Sequence, residues 1–234
     1  MIKAVFITGA DKGLGFSLVQ RFLYEGVRVF AGQYQANGDL SDITQSFPKT
    51  LTLILLDVTK LDSVSQAAET VAKLVPMLDV LINNAGVMLE TRTPLLELDL
   101  AYLPFFETLN VNTFGPLRMV QQFLPLLEKG DQKLILNISS EAGSITDCWR
   151  ESEFAYSMSK AALNMQSKIL QNHLKPRGFK ILAVHPGWMR TDMGGAQADI
   201  HADEAAEGIF NLASKKWNQD DEIYMDYRAK PITW

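Results

Sequence analysis

Short apolar runs alternate along the chain with longer stretches of helical periodicity. Ala4–Thr8 is rich in β-branched and aromatic residues. A glycine-containing turn follows, then a helix over Gly15–Tyr24 with Leu18, Phe22 and Leu23 clustered on one side. Further strands are expected at Val27–Ala31, Leu51–Leu56, Asp79–Asn83, Lys133–Ser139 and Lys180–His185, with a short last one at Ile223–Met225. Helices are expected at Leu61–Leu74, Ala101–Glu128, Phe154–Leu174 and Ala202–Ala213. The Ala101–Glu128 helix carries an apolar stripe of Leu117, Val120, Leu124 and Leu127 and an interruption near Asn110–Asn112. Asn37–Asp42, Leu89–Asp99 and Thr146–Glu153 read as loops.

Apolar strands separated by helices require crossover connections, and so a parallel sheet covered on both faces. Right-handed crossovers make it a doubly wound, Rossmann-type α/β fold. No repeat, low-complexity tract or linker divides the chain, so residues 1–234 are expected to form a single domain. Ligands of such sheets bind beyond the carboxyl ends of the strands. That rule gathers Thr8–Gly15, Gly32–Tyr34, Asp57-Val58, Asn83–Gly86, Ser139–Gly143 and His185–Thr191 into one crevice.

Composition narrows the partners. A net charge of −5 with no basic tract argues against nucleic acid or an anionic membrane surface. No apolar run approaches the ~18 residues of a membrane span, and the opening Met1–Gly9 run is too short for a secretion signal. A single cysteine, Cys148, allows no internal disulfide and points to a reducing, cytoplasmic compartment. His173 and His201 lack partners at metal-ligand spacing, so no metal site is expected. His185 reads as a packed structural histidine.

The candidate chemistry sits in the crevice segments. Thr8-Gly9-Ala10-Asp11-Lys12-Gly13-Leu14-Gly15 is a glycine-rich turn entering a helix, whose backbone N–H groups suit a phosphate. No acid ends the second strand, where an NAD enzyme places one on the ribose 2′-hydroxyl. Lys12 offers a charge for a 2′-phosphate, which favours NADP(H) over NAD(H). Tyr156 and Lys160 stand four apart on one helix, hence on one face. A phenol beside an ammonium makes an acid/base pair, the cation lowering the phenol from its usual pKa of about 10.

In these motifs and their order the chain resembles the short-chain dehydrogenase/reductase family. The matching features are TGADKGLG at Thr8–Gly15, Asp57, NNAG at Asn83–Gly86, Asn112, Ser140 in SSEAG, Tyr156-x-x-x-Lys160, and Pro186-Gly187 with Thr191. The His185–Gly195 segment and the closing Tyr224–Trp234, with its Pro-x-x-Trp, resemble the C-factor and sniffer-type carbonyl reductase branch. The resemblance implies that Tyr156 is the acid/base and that Lys160 tunes it and binds the nicotinamide ribose. Ser140, three residues before Gly143, would hold the carbonyl, and Asn112 would anchor a relay water. It further implies dinucleotide contacts from Gly9, Asp11, Lys12, Gly13, Leu14, Gly15, Tyr34, Asp57, Val58, Asn84, Ala85, Gly86, Tyr156, Lys160, Pro186, Gly187, Met189 and Thr191. The implied activity is reduction of a ketone or aldehyde, or its reverse, by a homodimer or homotetramer assembled through the two long helices. The alternative is a dinucleotide-binding signalling or redox-sensing protein of C-factor type. Cys148-Trp149-Arg150 lie in a Ser140–Tyr156 stretch longer than in many relatives, where they would shape the substrate pocket.

Overall fold

A computed structural model describes residues 2–35, 38–90, 93–99, 101 and 103–234; of Gly38, Asp39 and Leu103 only the backbone is described. In chain order the elements are β1 (Ala4–Thr8), α1 (Gly13–Tyr24), β2 (Arg28–Gln33), α2 (Gly38–Ser46), β3 (Leu51–Leu55), α3 (Leu61–Leu74) and β4 (Val80–Asn83). There follow α4 (Leu103–Leu109), α5 (Gly115–Leu127), β5 (Leu134–Ile138), α6 (Phe154–Leu174), β6 (Lys180–His185), α7 (Ala202–Ser214) and β7 (Tyr224–Asp226). All seven strands form one sheet in the order β3-β2-β1-β4-β5-β6-β7, and every pairing is parallel. The order reverses between β1 and β4, the switch point at which a doubly wound sheet opens its crevice.

Two apolar layers sandwich the sheet. Along β1, Val5 and Ile7 face a cluster with α1, α2 and α7, while Ala4 and Phe6 face one with α3, α5 and the end of α6. This is the two-residue alternation of a strand buried on both sides. Phe6 and Phe123 of α5 stack with ring centroids 4.6 Å apart.

Three expectations change. The Asn37–Asp42 loop is the start of α2, anchored by fully buried Leu40 (Asn37 lies outside the described residues). Asn, Gly and Asp suggested a turn there, and one apolar contact overrides that weak local preference. In the Leu89–Asp99 loop, a single tight turn spans Leu95–Glu97; Thr91 and Arg92 lie outside the described residues, as does Tyr102 of the expected Ala101–Glu128 helix. That helix is split by a wide turn at Asn110–Phe114 into α4 and α5, near the expected interruption. Of the expected stripe, Val120 and Leu127 are buried and Leu124 packs partly buried on the same layer, whereas Leu117 is exposed. Met119, Phe123 and Leu126 are also buried.

Candidate active site

The strand ends converge as the topology requires. At β1 the chain turns through Gly9 (φ +61) and Gly13 (φ +54), both in the left-handed region that glycine tolerates. A side chain at Gly15 would put its Cβ 1.9 Å from the Gly9 carbonyl oxygen, so only glycine lets α1 close onto β1. Asn84, after β4, locks the turn by donating Nδ2 to the carbonyls of Thr8 and Gly9, each at 2.9 Å. The Thr8 hydroxyl in turn accepts from the backbone N–H of Asn84 (3.0 Å) and Ala85 (2.9 Å).

No side chain caps the first turn of α1, and no acid stands in it. Its free N–H groups and dipole are therefore directed at an anion. At the end of β2 the Gln33 amide oxygen is buried without a partner, and Tyr34 beside it is exposed. An uncapped glycine-lined helix start and an orphaned acceptor near the expected ribose position both fit a dinucleotide. Gln33 falls within the crevice segment Gly32–Tyr34, but no motif singles it out; its signal is its place as the last residue of the strand. Lys12 is already engaged, its Nζ 2.8 Å from Asp192. That pair spans the crevice beside Gly13, where a Cβ would come within 3.3 Å of Thr191.

Asp57 accepts from the N–H (2.9 Å) and hydroxyl (2.6 Å) of Thr59, so its carboxylate shapes the turn after β3. Val58 is buried against Gly115. Gly187 follows Pro186 with φ +86 and packs on Ile200 and Tyr227. Met189 pairs with Ile200 as an isolated bridge.

The catalytic candidates meet at β4, β5 and α6. Ser139 and Ser140 point opposite ways, as neighbours on an extended chain do. Ser139 donates to Asn164 of α6 at 2.6 Å, while the Ser140 hydroxyl accepts from the N–H of Ala142 at 3.1 Å and stands beside the Tyr156 phenol. Lys160 is buried, donating to the carbonyl of Ile138 at 2.8 Å, with its Nζ 5.6 Å from the centre of the Tyr156 ring. Asn112, in the wide turn, clamps the backbone of Val87 through both amide atoms at 2.8 Å and donates to the Ser159 hydroxyl at 3.0 Å. Gly86 separates it from Lys160. A Cβ there would lie 3.4 Å from Asn112 Oδ1 and 3.7 Å from Lys160 Nζ.

The electrostatics differ from the expectation for Tyr156. Burial pushes its phenol up from the ordinary value, and the Ser140 hydroxyl and the Arg150 charge only partly oppose this. Burial also brings Lys160 down to about 8, and the charges that act on the phenol are those of Arg150, Glu141 and Glu153. His185 is lowered by burial, with an unpartnered Nδ1, in keeping with a packed residue. Cys148 is exposed. Among the described residues no three His, Cys, Asp or Glu gather as metal ligands, and no helix is long and apolar enough to cross a membrane.

A family model described as short chain dehydrogenase matches residues 3–201. An uncharacterized oxidoreductase of Schizosaccharomyces pombe is 34% identical over 96% of this chain and 88% of its own length. C-signal of Myxococcus xanthus is 35% identical over 67% of this chain and 92% of its own. Among solved structures, the NADPH-bound carbonyl reductase from chicken fatty liver superposes with a TM-score of 0.90 at 31% identity, covering 100% of this chain and 99% of that one. Carbonyl reductase Sniffer of D. melanogaster gives 0.93 at 26% identity over the whole of both chains. With its crevice at the switch point and its glycine turn, this chain belongs to the short-chain dehydrogenase/reductase family, near the C-factor and sniffer types, and is an NAD(P)-dependent oxidoreductase.

Proposed function

We propose that the protein is an NADP(H)-dependent carbonyl reductase, or the corresponding alcohol dehydrogenase in reverse, acting as a single domain with Tyr156 as its acid/base. The observation that carries this reading is the Tyr156 phenol set beside the Ser140 hydroxyl with Lys160 buried on the same face of α6. The dinucleotide, when bound, supplies or accepts the hydride. Ser140 holds the substrate oxygen, and Tyr156 gives it a proton as charge develops there. Lys160 balances the phenolate left behind and binds the nicotinamide ribose. Asn112, across Gly86 from Lys160, lines the route by which a water returns the proton.

Gly9, Gly13, Leu14 and Gly15 would hold the pyrophosphate through backbone N–H groups, with Asp11 in the same turn and Lys12 the charge for a 2′-phosphate. Gln33 and Tyr34 would meet the adenosine ribose, Asp57 and Val58 the adenine. Asn84, Ala85, Gly86, Pro186, Gly187, Met189 and Thr191 would line the rest of the dinucleotide. The neutral Gln33, with no acid at the end of β2, supports NADP(H) over NAD(H). NADPH in the chicken carbonyl reductase points the same way.

A row of exposed apolar side chains supports a homodimer or homotetramer. Phe114, Leu117, Met158, Met165 and Ile169 lie on the wide turn, α5 and α6 with more than 40% of each exposed. Light scattering at micromolar concentration is expected to give a dimer or tetramer; a monomer overturns that assembly. The C-signal similarity favours a second reading, in which the bound dinucleotide acts as a signal. A partner that distinguishes the apo from the loaded protein would support it.

Oxidation of NADPH over a panel of ketones and aldehydes tests the main reading. Tyr156→Phe is expected to lower turnover by about 10²–10⁴-fold while NADPH fluorescence still reports binding. Absence of turnover on every carbonyl, or equal turnover by the variant, overturns it.

A further inference from the structure

Arg150 lies in the loop between the elements that present Ser140 and Tyr156, and it binds a residue of each. Its guanidinium grips Glu141 with two parallel bonds of 2.6 and 2.8 Å, and its Nε donates to Glu153 at 2.8 Å. Glu141 follows Ser140 directly and opens the tight turn Glu141–Gly143. Glu153 stands immediately before α6, three residues ahead of Tyr156, in a left-handed conformation (φ 63, ψ 43). A β-branched or bulky residue resists that backbone, and Glu gains nothing from it unaided. Its carbonyl nevertheless accepts the first helical bond, from Ser157 at 2.9 Å. The Arg150 and Glu153 side chains are 15% and 10% exposed, so their pair is screened less than a surface pair, while Glu141 at 39% is partly in water. Trp149 covers the guanidinium, 4.8 Å from its ring centre.

We propose that Arg150 is a positioning residue for the reaction: by holding Glu141 and Glu153 together it sets the spacing of Ser140 and Tyr156 and offsets the two carboxylates that face the phenol. The proposal rests on the reading of Ser140 and Tyr156 given above. The charged and titratable groups around the phenol come from every neighbouring element. Glu141 follows β5, Arg150 and Glu153 lie in the loop, Lys160 is on α6, His185 ends β6 and Tyr224 is on β7. Glu90, after β4, accepts from the N–H of Ala155 at 2.6 Å and adds a further carboxylate at the helix start. Glu141 and Glu153 both disfavour the phenolate and Arg150 favours it. Removing Arg150 takes away the positive charge that opposes the two carboxylates at the phenol.

The test pairs kinetics with a titration that needs no substrate. Tyrosine labelled with ¹³C at Cζ reports each phenol, and the signal absent from Tyr156→Phe assigns Tyr156. In Arg150→Met the Tyr156 titration is expected to move to higher pH and kcat to fall by roughly tenfold or more, with the KM for NADPH little changed. Adding Glu141→Gln to that variant is expected to bring the titration back down, a rescue no loss of folding would give. Arg150→Lys keeps the charge without the fork, and is expected to lose kcat while leaving the titration near wild type. It serves also if the methionine variant does not fold. An unchanged titration and kcat in Arg150→Met overturn the proposal. Because the titration is read without turnover, a wild type that reduces no carbonyl overturns the catalytic reading and leaves the clamp separately judged.

Discussion

The two halves of the crevice are built from different materials. On the β1–β3 side the glycine turn is shaped by backbone: glycines where a Cβ would collide, carbonyls held by Asn84, and helix N–H groups left open. On the β4–β6 side the catalytic elements are tied by buried side chains. Asn83 donates to Asn137 across β4 and β5, and Asn137 donates to Ser167 of α6, both at 2.8 Å. Ser139 meets Asn164, and Lys160 meets the end of β5. A phosphate needs many weak donors on a smooth surface, which backbone provides. A proton donor must hold one atom to within fractions of an ångström, which calls for a cross-braced polar interior.

This contrast predicts how each half breaks. Gly15→Ala carries the largest effect, since its Cβ would sit 1.9 Å from a carbonyl oxygen and 2.7 Å from Asn84 Nδ2. NADPH binding by fluorescence is expected to be lost; retained affinity would mean the turn opens at little cost. On the other half, Lys160 is held at about 8 by burial, against 10.5 for an ordinary lysine. Between those values the unfolded chain binds the extra proton, so this group's contribution to stability rises with pH from 8 towards 10.5. Denaturant titrations of wild type and Lys160→Met across that window are expected to show a wild-type gain that the variant lacks. A parallel pH dependence in the two would remove the burial argument. Asn137→Ala, which strands the Asn83 amide N–H while Ser167 keeps its bond to the Leu163 carbonyl, is expected to cost about 1–3 kcal/mol in the same measurement. A neutral result would make the brace dispensable.

The same contrast explains what was legible in the sequence. The nucleotide half announces itself because backbone geometry demands glycine at set spacings, and the parallel sheet because doubly buried strands are continuously apolar. The bounds of β1, α3, α6 and β6 fall where periodicity puts them. Ser140 is distinguished from Ser139 by the family resemblance, which places it three residues before Gly143; alternation adds that the two side chains diverge, and they do. What stayed hidden depends on distant partners. Gln33 is ordinary until its amide oxygen is seen orphaned, and Lys12 looks free until Asp192 reaches it. The phenol's charge balance could not be read from Lys160 alone, because burial and the Glu141–Arg150–Glu153 cluster outweigh the one neighbour that spacing reveals.

The wide turn at Asn110–Phe114 has a consequence for how this chain tolerates change. Each residue of a helix advances the side chain by about 100° around the axis. The wide turn takes up an extra residue, letting Asn112 clamp the backbone after β4 while Met119 and Phe123 address the sheet. Arg118 of α5 ties the turn down, donating to the side-chain oxygen of Asn110 at 2.8 Å. Deleting a single residue at the turn would close it into regular helix: the residue lost and the widening lost roughly cancel, so the flanking helices keep their facing while the turn that presents Asn112 disappears. Asn112 would then leave Val87, so the catalytic half is unforgiving of altered length at this point.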